Sequence, residues 1–398
     1  MLLVAIVFWA CAALIVYAQL GYGVLLALLA RLTSSADDPL AGAEGRNLSS
    51  PARPGGEERA AAGLPSVSFV VAAYKEEAVI AEKVANVRAL DYPADRIELI
   101  VACDGSPDAT PQRAREAGAD VVLELPRGGK IRAQDAAVRR ARGELVAFSD
   151  ANAFWSPDAL TRLVAPFQSD PAVGYVCGQV SFVNDEDGTN QEGLYWRYEM
   201  ALRGLESRLA SVTGGNGAIY ATRRGSYIEV DPIMGHDLSF PFNMVKRGWR
   251  ALYAPDARAS EKMVPSIEGE FARKRRMMSH GWPIVLTGGL LSPKGYGPLY
   301  ALMILSHRVL RYALPFVHLL ALVANLALVD AGAGWVYAVT LGLQLALVAA
   351  AVLARWVPAR LLLVARYYVL TQAALAAGLW DWLRHGTEAG WSPPEGTR

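Results

Sequence analysis

Three short polar stretches each close an apolar run in the first half of this 398-residue chain: Tyr74-Lys75-Glu76, Asp104-Gly105-Ser106 and Asp150-Ala151-Asn152. A carboxylate at the tip of an otherwise dry strand can serve as an oxygen ligand for a hard cation or as an acceptor for a polar ligand. Gly128-Gly129-Lys130 adds backbone N–H groups and an ammonium at a helix start, a combination that suits a phosphate. It is not a Walker A loop, which is longer and carries Ser or Thr after its Lys. Each aspartate alone also has a structural explanation. Asp104 could cap a helix beginning near Asp108. Asp150 could cap one too, although Ser156-Pro157-Asp158 makes a better helix start. Three polar strand ends in succession favour a site.

The elements that must position these groups alternate. Apolar runs at 67–74, 98–104, 120–125 and 144–150 predict strands, and the stretches 76–90, 107–118 and 130–142 predict helices. Strands apolar on both faces, separated by helices, indicate a parallel sheet covered on both sides. Ligands of such sheets bind beyond the carboxyl ends of the strands, where the polar groups fall.

The chain is 53% hydrophobic, and the excess sits at its two ends. Leu2 to Leu29 is almost uncharged and long enough to cross about 30 Å of hydrocarbon. A cleaved signal peptide would carry a basic start and a shorter apolar core, so a retained span is expected. Residues 309–329, 335–354 and 361–380 are further candidates, the last interrupted by Arg366 and Gln372. Arg31, Arg308, Arg311, Arg355 and Arg360 flank the spans in a pattern that predicts a cytoplasmic middle domain in an integral membrane protein. Residues 32–64 are rich in Ser, Ala, Gly and Pro without periodicity, and read as a flexible linker. The three cysteines lack metal or disulfide spacing, and a net charge of +1 argues against a nucleic-acid partner.

The ordered set VVAAYKEE, VACDGSPDAT, RGGK, VAFSDAN, TGGNGAIYATRR, GHDLSF and FARKRRMMSHGW resembles the family 2 glycosyltransferases over about residues 66–285. These are membrane-bound inverting enzymes with a GT-A fold. The resemblance implies an α/β, Rossmann-like, mostly parallel sheet at 65–280, preceded by a transmembrane helix at 1–31. It further implies an interfacial segment at 281–305, about three transmembrane helices at 306–383 and a tail at 384–398. It assigns Tyr74, Glu76 and Asp104 to the base and ribose of a nucleotide sugar, most simply a UDP-sugar, with Lys130, Arg273 and Arg276 near its diphosphate. Asp150 and Asn152 hold the positions of the family's metal-carrying element, for Mg²⁺ or Mn²⁺, with Asn152 standing where a second Asp is usual. Asp237 matches the general base; the alternative is that it caps a helix at 239–249. Gly215, Asn216, His236 and Trp282 would face a saccharide or lipid-linked acceptor. Met277 replaces the tryptophan of processive members, so single-sugar transfer to a lipid carrier stands beside polymer synthesis and export. A non-catalytic sugar-nucleotide-binding scaffold is the alternative of another class.

Overall fold

The structure, a computed structural model, describes residues 1–33, 63–183, 192–262, 267–357 and 359–390. Nearly all of the linker expected at 32–64 lies outside them. An apolar helix, α1 (Leu2–Thr33), comes first. The sheet then begins with β1 (Val67–Ala73), buried along its whole length. β2 (Ile97–Asp104), β3 (Val121–Leu125) and β4 (Leu145–Asp150) follow, close to the predicted bounds. Between them lie α2 (Ile80–Arg88), α3 (Thr110–Glu116) and α4 (Lys130–Arg140). α2 starts later than the periodicity predicts. Lys75 takes a left-handed φ of 56°, and the Glu76 carbonyl closes a turn onto the N–H groups of Val79 and Ile80.

The second half adds β5 (Phe154–Trp155), α5 (Ala159–Ser169), β6 (Val173–Val183), α6 (Glu192–Leu209), β7 (Ile219–Arg223), α7 (His236–Lys246) and β8 (Arg250–Lys262). One sheet results, in the order β3-β2-β1-β4-β7-β6-β8-β5. β1 pairs in parallel with both β2 and β4, whereas β7 runs antiparallel to β4 and β6. The expected parallel sheet is thus a mixed one, parallel where the polar strand ends gather. α2, α3 and α5 pack one apolar core against one face, and α4 and α7 pack a second core against the other.

α8 (Ile267–Leu286) leads out of the sheet domain. Three further apolar helices follow: α9 (Pro298–Asp330), α10 (Trp335–Leu353) and α11 (Arg360–His385). With α1 they are four helices long and apolar enough to cross a membrane. The stretch 281–305 is divided between the end of α8, a turn and the first residues of α9. Two short π-helical turns interrupt the long helices, at Tyr17–Gly21 and Ile304–Val309.

Candidate active site

Register fixes the polar rim. Ala72 of β1 lies opposite Asp150 of β4, and Ala73 opposite Cys103 of β2, so Tyr74, Asp104 and Asp150 leave the sheet at one edge. Asp104 is only 1% exposed, and a carboxylate so buried must be satisfied. Its Oδ1 accepts the N–H of Gly128 at 2.6 Å and of Gly129 at 3.0 Å. Its Oδ2 accepts Arg127 Nη1 at 2.6 Å and Gly129 N–H at 2.9 Å. The Arg127 guanidinium also covers the Tyr74 ring at 3.4 Å, a cation–π contact. Asp104 therefore organises the Arg127–Gly129 loop. Glu76 is buried beside it, its N–H donating to Thr110 Oγ1 at 2.9 Å.

Gly129 needs its missing side chain. Its φ is 97°, and a Cβ there would collide with the carbonyl of Ala389, in the segment after α11. Thr387 Oγ1 anchors that segment by donating to the Ser279 carbonyl of α8 at 2.8 Å. Residues 388–390 thus face Arg127, Gly128 and Arg132 across an open cleft.

Lys130, the first residue of α4, forms an ion pair with Asp150. Burial disfavours its ammonium, but Asp150, then Asp237 and Glu261, outweigh that and hold it above its ordinary value. A Cβ built at Gly217 would lie 3.8 Å from Lys130 Nζ and 3.9 Å from Asp237 Cβ, so the lysine and Asp237 flank the same glycine. Asp150, Lys130 and Asp237, from three separate segments, share one place. Asp237 does not cap a helix at 239; it sits in the first turn of α7, whose N-cap is Gly235. Gly215 N–H donates to the Asp237 carbonyl at 2.5 Å, which joins the glycine loop to it. Asn216 lies in the same loop with a buried, unpartnered Nδ2.

The turn after Asp150 is held from below. Lys83, fully buried, donates to the Ala153 carbonyl at 2.5 Å and lies against the Phe69 and Trp155 rings. Burial lowers its ammonium to about 7, with Asp150 and Glu261 pulling the other way. Asn152 is half-buried in this turn. A divalent cation shared with substrate phosphates needs only one or two protein carboxylates. The partly exposed Asp150 fits that demand. Among the described residues no three His, Cys, Asp or Glu side chains gather into a site made by protein alone.

Two expected acceptor residues, His236 and Trp282, are buried. His236 is buried in the core, its Nδ1 2.7 Å from Tyr220 Oη and its ring stacked on Phe240 at 3.9 Å. Burial, reinforced by Lys130, pushes its pKa well down, so the imidazole is neutral. Trp282 packs edge-on against Tyr312 at 5.1 Å and donates its indole N–H to the Leu375 carbonyl at 2.8 Å. Arg273 lies 6.0 Å from the Phe182 ring, and Arg276 follows it one turn on; burial and the Arg273 charge lower its pKa. Sequence reasoning missed Arg127, Lys83 and Ala389. The RGGK motif pointed to its glycines and lysine, and nothing local marks a lysine under a strand tip or a tail residue that returns.

Residues 68–230 match the family Glycosyl transferase family 2. An N-acetylglucosaminyltransferase of Mesorhizobium japonicum is 28% identical over 233 residues, 53% of this chain and 54% of its own length. A poly-beta-1,6-N-acetyl-D-glucosamine synthase of Staphylococcus aureus is 24% identical over 252 residues, 60% of each chain. The match thus spans only half to three-fifths of these curated relatives. A mannosyltransferase from Pyrobaculum calidifontis, solved with GDP-Man and Mn²⁺, shares the fold over 95% of this chain and 99% of its own, with a TM-score of 0.65 at 23% identity. Residues 68–230 thus carry a Glycosyl transferase family 2 domain, a GT-A sheet domain joined to long apolar helices.

Proposed function

We propose that this chain is a membrane-embedded inverting glycosyltransferase that moves a sugar from a nucleoside diphosphate to a hydroxyl of a saccharide or lipid-linked acceptor. One observation carries the reading: Asp150, Lys130 and Asp237 meet around Gly217. Asp237 takes the proton of the acceptor hydroxyl as its oxygen attacks the anomeric carbon from the face opposite the nucleotide. The C–O bond to the diphosphate breaks, and the Lys130 ammonium neutralises the charge that develops there. A divalent cation, Mg²⁺ or Mn²⁺, would supply further positive charge at the diphosphate, with Asp150 as its protein ligand and Asn152 beside it. Arg127 and Tyr74 offer a flat cationic and aromatic surface for the base, beside Glu76 and Asp104. Arg273 and Arg276 supply positive charge on α8. Gly215 and Asn216 line the acceptor side.

The named activities of the two curated relatives favour UDP-N-acetylglucosamine as donor. Arginines at the ends of the apolar helices favour a cytoplasmic sheet domain. The purified full-length chain, given Mn²⁺, a panel of UDP- and GDP-sugars, and lipid and oligosaccharide acceptors, should yield a product whose mass reports donor, acceptor and chain length together. Asp237→Asn should lower turnover by about 10² to 10⁴ while donor binding persists. Unchanged turnover in that variant would remove Asp237 from its role.

A further inference from the structure

The glycine loop at 213–217 carries the amide that bonds to Asp237, yet the groups that hold the loop come from the long helices. Thr213, fully buried, donates its N–H to Glu206 Oε2 at 3.0 Å, and its hydroxyl lies 3.0 and 3.1 Å from the two oxygens of that carboxylate. Glu206, on α6, also accepts from Tyr22 Oη of α1 at 2.6 Å, and lies 2.6 Å from Nδ1 of His307 on α9. The other ring nitrogen of His307 is 3.1 Å from Glu199. Arg308, next on α9, donates from Nε to the Thr213 carbonyl at 3.2 Å and to its hydroxyl at 3.0 Å. Every polar group of Thr213 is thus taken by this cluster.

The helices are shaped to reach it. Tyr22 follows one π-turn of α1, and His307 and Arg308 lie in the π-turn of α9; such turns recur at functional sites. Tyr17 and Ser306, one from each π-turn, are bonded at 2.8 Å. Burying two carboxylates with an imidazole between apolar helices is poor glue, because desolvation cancels most of the attraction. What such a cluster provides is a fixed arrangement, and here its bonds end on the backbone of one loop residue. From Thr213 the chain needs only Gly214 to reach Gly215, whose N–H donates to the Asp237 carbonyl at 2.5 Å.

We propose that Glu206 and His307 are positioning residues that, through Thr213, set the glycine loop and hence Asp237, so that the apolar helices hold the acceptor side of the site in register. This rests on Asp237 being the base. A displacement of about 1 Å at a reacting group can cost roughly 10²-fold in rate.

The test uses the full-length protein in detergent, with turnover at varied donor and donor binding by calorimetry. Thr213→Val keeps the volume but loses the hydroxyl, and should lower kcat about tenfold or more with donor KM and Kd within about twofold. Thr213→Ser should restore most of it. Glu206→Gln should also lower kcat selectively, and combined with Thr213→Val should do little further damage, because the two act as one unit. A wild-type kcat in both Thr213→Val and Glu206→Gln overturns the proposal. So does a fall in kcat matched by an equal loss of donor affinity, the mark of general disruption. If Thr213→Val does not fold, Glu206→Gln decides alone. Retained turnover in Asp237→Asn sinks the base assignment and this proposal with it; wild-type kcat in both Thr213→Val and Glu206→Gln, with an inactive Asp237→Asn, sinks this proposal only.

Discussion

The strand-end rim and the glycine loop are built by different means. At the rim, neighbouring βα units hold one another: Asp104 fixes the loop before α4, Lys130 at its start meets Asp150, and all lie between β1 and β4. The glycine loop lies beside Asp237 but is fastened by Tyr22, Glu206, His307 and Arg308, residues far apart in the chain. A rim made of strand ends inherits its geometry from sheet register, which the whole apolar core enforces. A glycine loop has little packing of its own and takes its shape from whatever grips it. Damage to the rim should therefore appear in donor and metal dependence, and damage to the loop's supports in turnover.

Three further experiments sharpen that contrast. The largest effect is expected for Asp150→Asn, which removes the partner of Lys130 and the carboxylate available to a cation. Turnover at saturating donor should fall about 10²- to 10³-fold, with a higher Mn²⁺ requirement in initial-rate titrations. An unchanged Mn²⁺ dependence would detach Asp150 from the metal. Gly129→Ala forces a side chain into a left-handed backbone and against Ala389, at a cost of roughly 1–2 kcal/mol. Donor Kd should rise about tenfold while the Mn²⁺ dependence of turnover stays put. An unaltered Kd would show that the contact between the C-terminal segment and the Asp104 loop does not bear on the donor.

The smallest effect concerns acid stability. Glu206 is buried, which alone would raise its pKa, but His307, Arg308 and Tyr22 pull it down from 4.5 to about 2. A folded pKa below the unfolded one gives stability that is full above about pH 4.5 and fades as pH falls towards 2. Glu206→Gln should flatten that part of the melting-temperature profile, by a few degrees relative to the wild type. Parallel profiles across this window would show that the carboxylate is not held in its charged form.

Much of the rim is legible in the order of residues alone. The four apolar runs form β1 to β4 within a residue or two of the expected bounds, and the sheet edge carries Tyr74, Asp104 and Asp150 as expected. Helix starts are less legible. Residues 76–79 look helical in composition, yet Lys75 turns the chain the other way. His236 enters the site by its family position beside Asp237, and the structure packs it against Phe240 and Tyr220. Trp282 enters the site as a stand-in for the family tryptophan that Met277 replaces, and the structure buries it with its indole N–H on the Leu375 carbonyl of α11.

By itself the sequence determined where polar chemistry could stand in the sheet. β1 and β4, the most completely covered strands at the site, admit no charge before their ends, so their polar groups stand at the tips. Only the tertiary structure decided what holds the acceptor side. Glu206 and His307 are 101 residues apart and belong to helices whose periodicities say nothing of each other. Their pairing, and the Thr213 backbone it grips, exist because a buried charge must find a partner, and the folded chain offers that one.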